Sequence, residues 1–160
     1  MKKLLTLVCA ITLLLTFCSC KKESTDFKPV LKFNCTAVIE NGGDTFEAKI
    51  SALSGGLFSV KMLSPENIKG LKFEFDADKS EISYLGLKTD ISNLPYASLI
   101  KKLKTAFDEL SYKPKNFVKE NDELKLNNDG YTFYFKSDGL PLKFIAEGYT
   151  ITFKDIKIIK

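Results

Sequence analysis

Most of the chain beyond residue 30 alternates between apolar and polar residues, the pattern of strands that are buried on one face. In the first half of the chain this alternation covers Leu31–Ile39, Phe46–Ala52, Phe58–Met62, Leu71–Ala77 and Glu81–Leu85. Segments rich in Gly, Asn, Asp and Ser separate these runs and supply residues that suit tight turns. The pattern predicts five strands in an antiparallel meander, with Gly86–Lys88 extending or bending the last of them.

One segment has a helical period instead. Its apolar residues recur at intervals of three and four and are Tyr96, Leu99, Ile100, Leu103, Phe107 and Leu110. Asn93 is a candidate N-cap, and Pro95 suits a first helical turn because its missing N–H is harmless there. Lys113 and Pro114 end the pattern. The spacing predicts a helix over residues 96–111 with one continuous apolar stripe.

Alternation resumes after the helix and predicts further strands. They cover Phe117–Val118, Leu124–Leu126, Tyr131–Phe135, Leu140–Ala146 and Tyr149–Phe153. Ile156 and Ile158 continue the last strand on the opposite parity, which predicts a bulge near Lys154–Asp155. A sandwich also produces such alternation. One amphipathic helix between two groups of strands instead favours an α+β, mostly β fold: a curved antiparallel sheet, or incomplete barrel, wrapped around one long helix.

The N-terminus carries a different signal. Lys2 and Lys3 precede an apolar run, Leu4 to Phe17, which has the length of a signal-peptide core and is short for a bilayer span. The run ends in Phe17-Cys18-Ser19-Cys20 and resembles the bacterial lipoprotein box, in which a small residue precedes a cysteine that is diacylated and becomes the first residue once the signal peptide is cut off.

That resemblance implies a signal peptide over residues 1–19, lipidation of Cys20, a lipidated tether over residues 20–28 and a domain over residues 29–160. The domain is then expected on the outer face of the bacterial cell membrane, held by a diacylglyceryl anchor. Cys18 is the rival lipidation site, although it would place bulky Phe17 before the cut. The segment is also compatible with an ordinary cleaved signal or with an uncleaved anchor.

The amino-acid composition limits the kinds of binding and catalytic site that the chain can form. The formal net charge is +4, and all 24 basic residues are lysine. Without the planar arginine fork, nucleic acid is not expected as a partner. The chain has no histidine, so Ser–His and Cys–His pairs and imidazole metal sites are excluded. We therefore predict no enzyme activity and no cofactor.

Cysteines and carboxylates offer little further chemistry. Cys35 is the one thiol outside the predicted signal peptide and lipidation site, so it cannot form an internal disulfide. It is either a buried apolar residue or a reactive or intermolecular thiol. Acidic residues cluster in two predicted hairpins, at Asp76, Asp78 and Glu81 and at Glu120, Asp122 and Glu123. Solvated turns are the favoured interpretation over a loose calcium site, because neither cluster has EF-hand spacing.

The order of turns and strands resembles the lipoprotein-localisation-factor (LolA/LolB-like) superfamily, in particular its small Gram-positive lipoproteins. The segments that carry the resemblance are the lipobox, Pro65–Phe73, Tyr84–Leu87, Leu94-Pro95, Asp138–Pro141 and Ile151–Phe153. The resemblance covers about residues 30–158 and implies a half-open barrel whose concavity shelters acyl chains or lipophilic molecules. The chain departs from the carriers in having one long helix and neither Trp nor Arg.

Two function hypotheses follow from these patterns. In the first, aromatic side chains line a lipophilic site in the concavity; the candidates are Phe73, Phe75, Tyr84, Phe133, Phe135 and Phe144. The competing interpretation of these six is that they only pack on the helix. In the second hypothesis, the domain is a non-catalytic envelope or spore-associated protein that docks another protein through its sheet edge or convex face. The lysine-bearing side of the helix is either solvated or turned toward anionic lipid headgroups.

Overall fold

The computed structural model describes residues 27–53, 56–76, 79–90, 96–112 and 116–160. The predicted signal peptide, the predicted lipidation site Cys20 and most of the predicted tether lie outside these residues. So do the predicted helix cap Asn93, Pro95 and the stop at Lys113–Pro114.

The described part of the chain forms one helix and an 11-stranded sheet. The strands before the helix are β1 (Phe33–Asn41), β2 (Asp44–Ala52), β3 (Phe58–Ser64), β4 (Lys72–Phe75), β5 (Ser80–Tyr84) and β6 (Leu87–Asp90). The helix is α1 (Ala97–Tyr112), and a short 3-10 turn spans Glu66–Ile68. The strands after the helix are β7 (Val118–Glu120), β8 (Glu123–Asn128), β9 (Tyr131–Lys136), β10 (Pro141–Ala146) and β11 (Tyr149–Ile158).

The sheet consists of two antiparallel meanders joined at its centre. The strand order is β6-β5-β4-β3-β2-β1-β11-β10-β9-β8-β7. The first and last strands therefore pair in the middle, and Phe33 lies opposite Ile158 at one end of that pair. Between β6 and β7 the chain passes from one edge of the sheet to the other, and α1 lies in this connection. The sheet is open, since β6 and β7 are both edge strands.

The predicted alternation is visible in the burial of the strands. Along β1, for example, Phe33, Cys35, Ala37 and Ile39 are buried and the residues between them are partly exposed. The predicted bulge is confirmed as well: Asn34 pairs with Lys157 but Thr36 pairs with Lys154, so β11 carries one extra residue here. The predicted helix is confirmed to within one residue at each end.

One prediction about the strands needs correction. Gly86–Lys88 does not extend β5. Leu85 and Gly86 both have positive φ, 48° and 84°, and form a two-residue turn. The chain then reverses, and Tyr84 pairs with Leu87 in the hairpin of β5 and β6. The first meander therefore has six strands, with β6 as its edge.

The ring of Phe107 shows that the sheet curves around the helix. It lies 5.8 Å from the ring of Phe58 in β3 and 5.2 Å from the ring of Phe133 in β9. These two strands are five positions apart in the sheet, about 24 Å if it were flat. Phe33 and Phe153, on the central strands, also contact this ring, at 5.5 and 6.4 Å. The predicted α+β fold, an open curved antiparallel sheet around one long helix, is confirmed.

The apolar stripe of α1 faces the sheet along the whole helix. Its buried residues are Ala97, Leu99, Ile100, Leu103, Ala106, Phe107 and Leu110. Burying each large side chain contributes about 1.5–3 kcal/mol. The stripe therefore supplies much of the stabilisation that holds the two meanders together.

The chain before β1 is fastened to the second meander. The N–H of Val30 donates to the carbonyl of Gly139 at 2.8 Å. The ring of Phe27 packs edge-on against Phe117, with centroids 4.6 Å apart. Lys28 lies so close to Gly139 that a Cβ on the glycine would stand 2.7 Å from the Lys28 carbonyl oxygen. The segment before β1 therefore joins the sheet at the end where the turn between β9 and β10 lies.

We expect Gly139→Ala to destabilise the domain more than Gly70→Ala. Both glycines have φ of +90°, so both substitutions carry the strain of positive φ, about 1–3 kcal/mol. Only at Gly139 does the new Cβ also meet backbone, because nothing lies within 4 Å of a Cβ at Gly70. Urea unfolding of the two variants measures the difference. Equal losses would mean that Lys28 moves away freely and that the tether is not fastened here.

Candidate functional site

The structure places most of the six predicted ligand residues in the core. Phe73, Phe75, Phe133, Phe135 and Phe144 are all buried. Phe133 is central to one group, with ring centroids 4.3 Å from Phe135 and 5.2 Å from Phe144. The helix residue Phe107 also packs edge-on against Phe133. The rings of this group therefore contact one another and the helix.

The remaining predicted residues lie on the other half of the sheet. Phe73 pairs with Val60 and Ile82 across β3, β4 and β5, and Phe75 packs against Phe58 at 6.1 Å. Tyr84 is half-buried, and its hydroxyl donates to the carbonyl of Asn67 at 3.2 Å. The structure therefore divides the six residues into two groups, one in each meander.

An apolar pocket, here called the end pocket, opens at the end of the concave face where α1 finishes. Its volume is about 180 Å³. The apolar part of its wall comes from Leu31, Ala52, Leu53, Leu57, Phe58 and Phe107. The rest of the wall and the rim come from Lys32, Gly56, Lys104, Asp108, Ser111 and Tyr112. Phe58 and Phe107 thus contact the core with one side and border the pocket with the other.

The rim of the end pocket carries two lysines, Lys32 and Lys104, and one carboxylate, Asp108. Lys104 forms an ion pair with Asp108 one helical turn further on. The hydroxyl of Ser111 donates to the carbonyl of Phe107 at 3.0 Å. The size is close to that of an apolar cavity of about 150 Å³ that binds benzene, and below the range of about 300–1,000 Å³ for drug-sized ligands. The end pocket can therefore accept the end of an alkyl chain or one small ring.

A second, more polar pocket of about 380 Å³ adjoins the first. It shares Leu53, Leu57 and Phe58 with the end pocket and reaches Phe75. Its other residues are Ser51, Ser59, Glu74, Asp76, Lys79, Glu81 and Lys88. Two of these carboxylates are paired, because Lys88 Nζ lies 2.7 Å from Glu81 Oε1 and Lys72 Nζ lies 2.5 Å from Glu74 Oε1. The hydrogen bond to Glu81 raises the pKa of Lys88.

The two predicted acidic clusters lie at hairpins, and among their described residues Glu81 and Glu120 each pair with a lysine. Across the described ranges, no group of three or more Asp, Glu, His or Cys side chains is placed to hold a metal ion. Asp78, from the first predicted cluster, lies outside those ranges. At the second cluster Glu120 accepts a hydrogen bond from Lys125 at 3.2 Å. Glu120 and Glu123 pair across the hairpin of β7 and β8, with the turn between them.

Polar contacts hold both ends of α1 on the sheet. Near its C-terminal end, Glu109 accepts hydrogen bonds from Asn128 at 2.8 Å and from the hydroxyl of Tyr131 at 3.1 Å. Burial raises the pKa of Tyr131 to about 12. Near its N-terminal end, Lys102 and Ser98 both contact Glu147, at 2.9 and 2.8 Å. The hydrogen bond from Lys102, followed by that from Ser98, lowers the pKa of Glu147. The helix is therefore fixed over the concave face, and the end pocket is the opening beside it.

Cys35 is buried in β1 and is a free thiol. Burial raises its pKa to about 12, opposed by a backbone hydrogen bond to Ile50. A thiol in this state is almost never a thiolate near neutral pH. Of the two interpretations of Cys35, the structure supports the buried apolar residue.

Sequence reasoning missed the end pocket. Leu53 and Leu57 flank a predicted turn, where alternation is broken, and Leu31 is the first residue of a predicted strand. Apolar residues on both sides of a Ser-Gly-Gly turn were the available signal, since such turns are normally polar. These leucines and Phe107 line the same pocket because of where the helix ends over the sheet. That position cannot be predicted from the local sequence pattern.

Comparisons with known proteins give fold neighbours but no family. No family model matches the sequence, and no curated protein sequence matches it. Among solved structures, the chain is similar to an uncharacterized conserved protein from Thermus thermophilus, with a TM-score of 0.48, 15% identity and coverage of 88% of this chain and 82% of that one. It is also similar to the LolA superfamily protein NE2245 from Nitrosomonas europaea, with a TM-score of 0.39, 9% identity and coverage of 87% and 90%.

No helix among the described residues combines the length and the apolar character needed to cross a bilayer.

Proposed function

We propose that the chain is a membrane-anchored extracytoplasmic lipoprotein whose end pocket holds a hydrophobic ligand or the end of an acyl chain. The observation that carries the ligand proposal is the opening itself: a pocket with mainly apolar walls at the end of the concave face. The anchor rests on the sequence around Ser19-Cys20, where a small residue precedes a cysteine at the end of an apolar run.

The end pocket suits a ligand better than the space between helix and sheet. A ligand beside Phe133 would have to displace the helix stripe, at about 1.5–3 kcal/mol for each large side chain exposed. It would also break the contacts of Glu109 and Glu147 that hold the helix. A ligand in the end pocket displaces none of these and reaches Phe58 and Phe107 directly. Of the six aromatic residues predicted from the sequence, Phe75 and Phe133 then lie behind the site, where they pack against its wall residues Phe58 and Phe107.

The rim suits an amphipathic molecule with a negative head. Lys32 and Lys104 border the apolar walls. A carboxylate at the end of an alkyl chain would lie near these ammonium groups while the chain fills the pocket. Lys104 is already paired with Asp108, so we expect the head group to add less to affinity than the buried chain does.

A second candidate function is docking of another envelope protein. It is favoured by the β5–β6 hairpin at one edge of the sheet, where Leu85 and Leu87 are 84% and 77% exposed. An edge strand can pair with a strand of a partner, and exposed leucines add apolar contact. In this case the end pocket would have no ligand.

Native mass spectrometry with decanoic acid tests the ligand proposal, using a chain that begins at Lys21. We expect saturable binding of one molecule to the unmodified domain. Ser111→Phe should abolish it, because residue 111 lines the pocket and the ring would occupy its opening. Lys101→Phe is the matched control, since residue 101 is exposed on the same helix and does not border the end pocket.

Two results would count against this site. Binding that survives Ser111→Phe would place the ligand elsewhere. An unmodified domain that binds neither decanoic nor palmitic acid would exclude a fatty-acid ligand and favour the docking candidate.

A further inference from the structure

We propose that the domain stands on the membrane with the end-pocket side down, and that Leu53, Leu57 and Tyr112 insert into the interface of an anionic bilayer. This orientation rests on the proposed lipid anchor at Cys20. It adds a second membrane contact, made by the folded domain itself.

The first argument is the distribution of exposed apolar side chains. Leu53, Leu57 and Tyr112 are 41%, 43% and 79% exposed, and all three border the end pocket. They come from the β2–β3 connection and from the last residue of α1, segments that are far apart in sequence. Tyrosine and leucine beside lysine are the residues that interfacial membrane contacts use. Lys32 and Lys104 border the same pocket, and each lysine near an anionic surface is attracted to it.

The second argument is where the chain joins the domain. Leu31 and Lys32, just before β1, line the end pocket. Phe27 follows Cys20 by seven positions, and this stretch can span at most about 25 Å when fully extended. A lipid on Cys20 therefore keeps the end-pocket side close to the bilayer.

The chain has no tryptophan, so the fluorescence of a single introduced tryptophan can report whether that position enters the bilayer. The full lipidated chain carrying Leu57→Trp is reconstituted into phosphatidylglycerol–phosphatidylcholine vesicles with or without brominated acyl chains. We expect the brominated lipid to remove roughly half or more of the emission. Leu87→Trp is the matched control: it replaces a more exposed leucine at the opposite end of the sheet and should keep its emission. Both positions are exposed, and urea unfolding of each variant checks that the fold is unchanged.

Flotation of the same vesicles separates the orientation from the anchor. The orientation is supported if the lipidated chain floats, the chain that begins at Lys21 does not, and the Leu57→Trp variant is quenched more than the Leu87→Trp variant. If the chain floats but the Leu57→Trp variant is unquenched, or both variants are quenched equally, the orientation is overturned while the anchor stands. If the Leu57→Trp variant is unquenched, Leu53, Leu57 and Tyr112 would instead be candidates for contact with a protein partner. If the chain does not float, both the anchor and the orientation are overturned.

Discussion

Replacing Phe107 by alanine is expected to lower the free energy of unfolding by about 3–5 kcal/mol. That loss is a large part of the roughly 5–15 kcal/mol that stabilises a typical domain. The reason is the position of the ring, which contacts Phe58 of the first meander and Phe133 of the second. Its removal leaves a cavity between helix and sheet that the surrounding strands can fill only by changing their curvature. Urea unfolding followed by circular dichroism measures the loss.

Tyr112→Ala is the control for this prediction. It lies on the same helix but is 79% exposed, so we expect a change within about 0.5 kcal/mol. Phe107→Leu should recover most of the stability because it restores apolar volume. A Phe107→Ala loss below about 1 kcal/mol would mean that the helix does not pack on the inner face of the sheet, and the end pocket would then lack one of its walls.

The elements of the fold could be predicted because burial leaves a period in the sequence. Alternate residues of β1 face the helix, and the stripe of α1 from Leu99 to Leu110 faces the sheet. The parity change at Ile156 likewise revealed the bulge in β11. Which strands pair with each other in the sheet leaves no periodic pattern in the sequence. Nothing in the pattern of Phe33 indicates that it lies opposite Ile158, far away in the sequence.

The missed turn at Leu85 and Gly86 has a local cause. Two-residue hairpin turns of this kind need positive φ at both positions and normally contain Asn-Gly or Asp-Gly. Leucine rarely adopts φ of 48°. Here the pairing of β5 with β6 holds it in that conformation, so tertiary structure overrides the residue's own preference.

The candidate site was harder to predict than the fold, because an apolar residue on an alternating strand looks the same whether it packs or lines a cavity. Phe133 contacts Phe107, Phe135 and Phe144 in the core, whereas Phe58 contacts both the core and the end pocket. The difference arises from their positions along the sheet: Phe58 begins β3 beside the end of the helix. Only the assembled fold shows which aromatic residues reach an opening.

Burial of Cys35 predicts a second large effect, on chemical reactivity. Its pKa is raised from 9.0 to about 12, which reduces the thiolate fraction at pH 8 about a thousandfold. Alkylation by iodoacetamide at pH 8 should therefore be about a thousandfold slower in the folded domain than in the same chain unfolded in urea. The chain that begins at Lys21 serves for this measurement because Cys35 is then its only thiol.

The raised pKa also sets the sign of a pH effect on stability. Above pH 9 the thiol of the unfolded chain loses its proton while the folded chain keeps it up to about pH 12, so this group makes the domain less stable as pH rises through that window.

Tyr112→Cys in a Cys35→Ala background is the matched control for the alkylation rate, since its thiol is exposed and should react at the ordinary rate. If Cys35 reacted within about tenfold of this control at pH 8, the inner face of β1 would be open to solvent. Cys35 would then be the reactive thiol that the sequence also allowed.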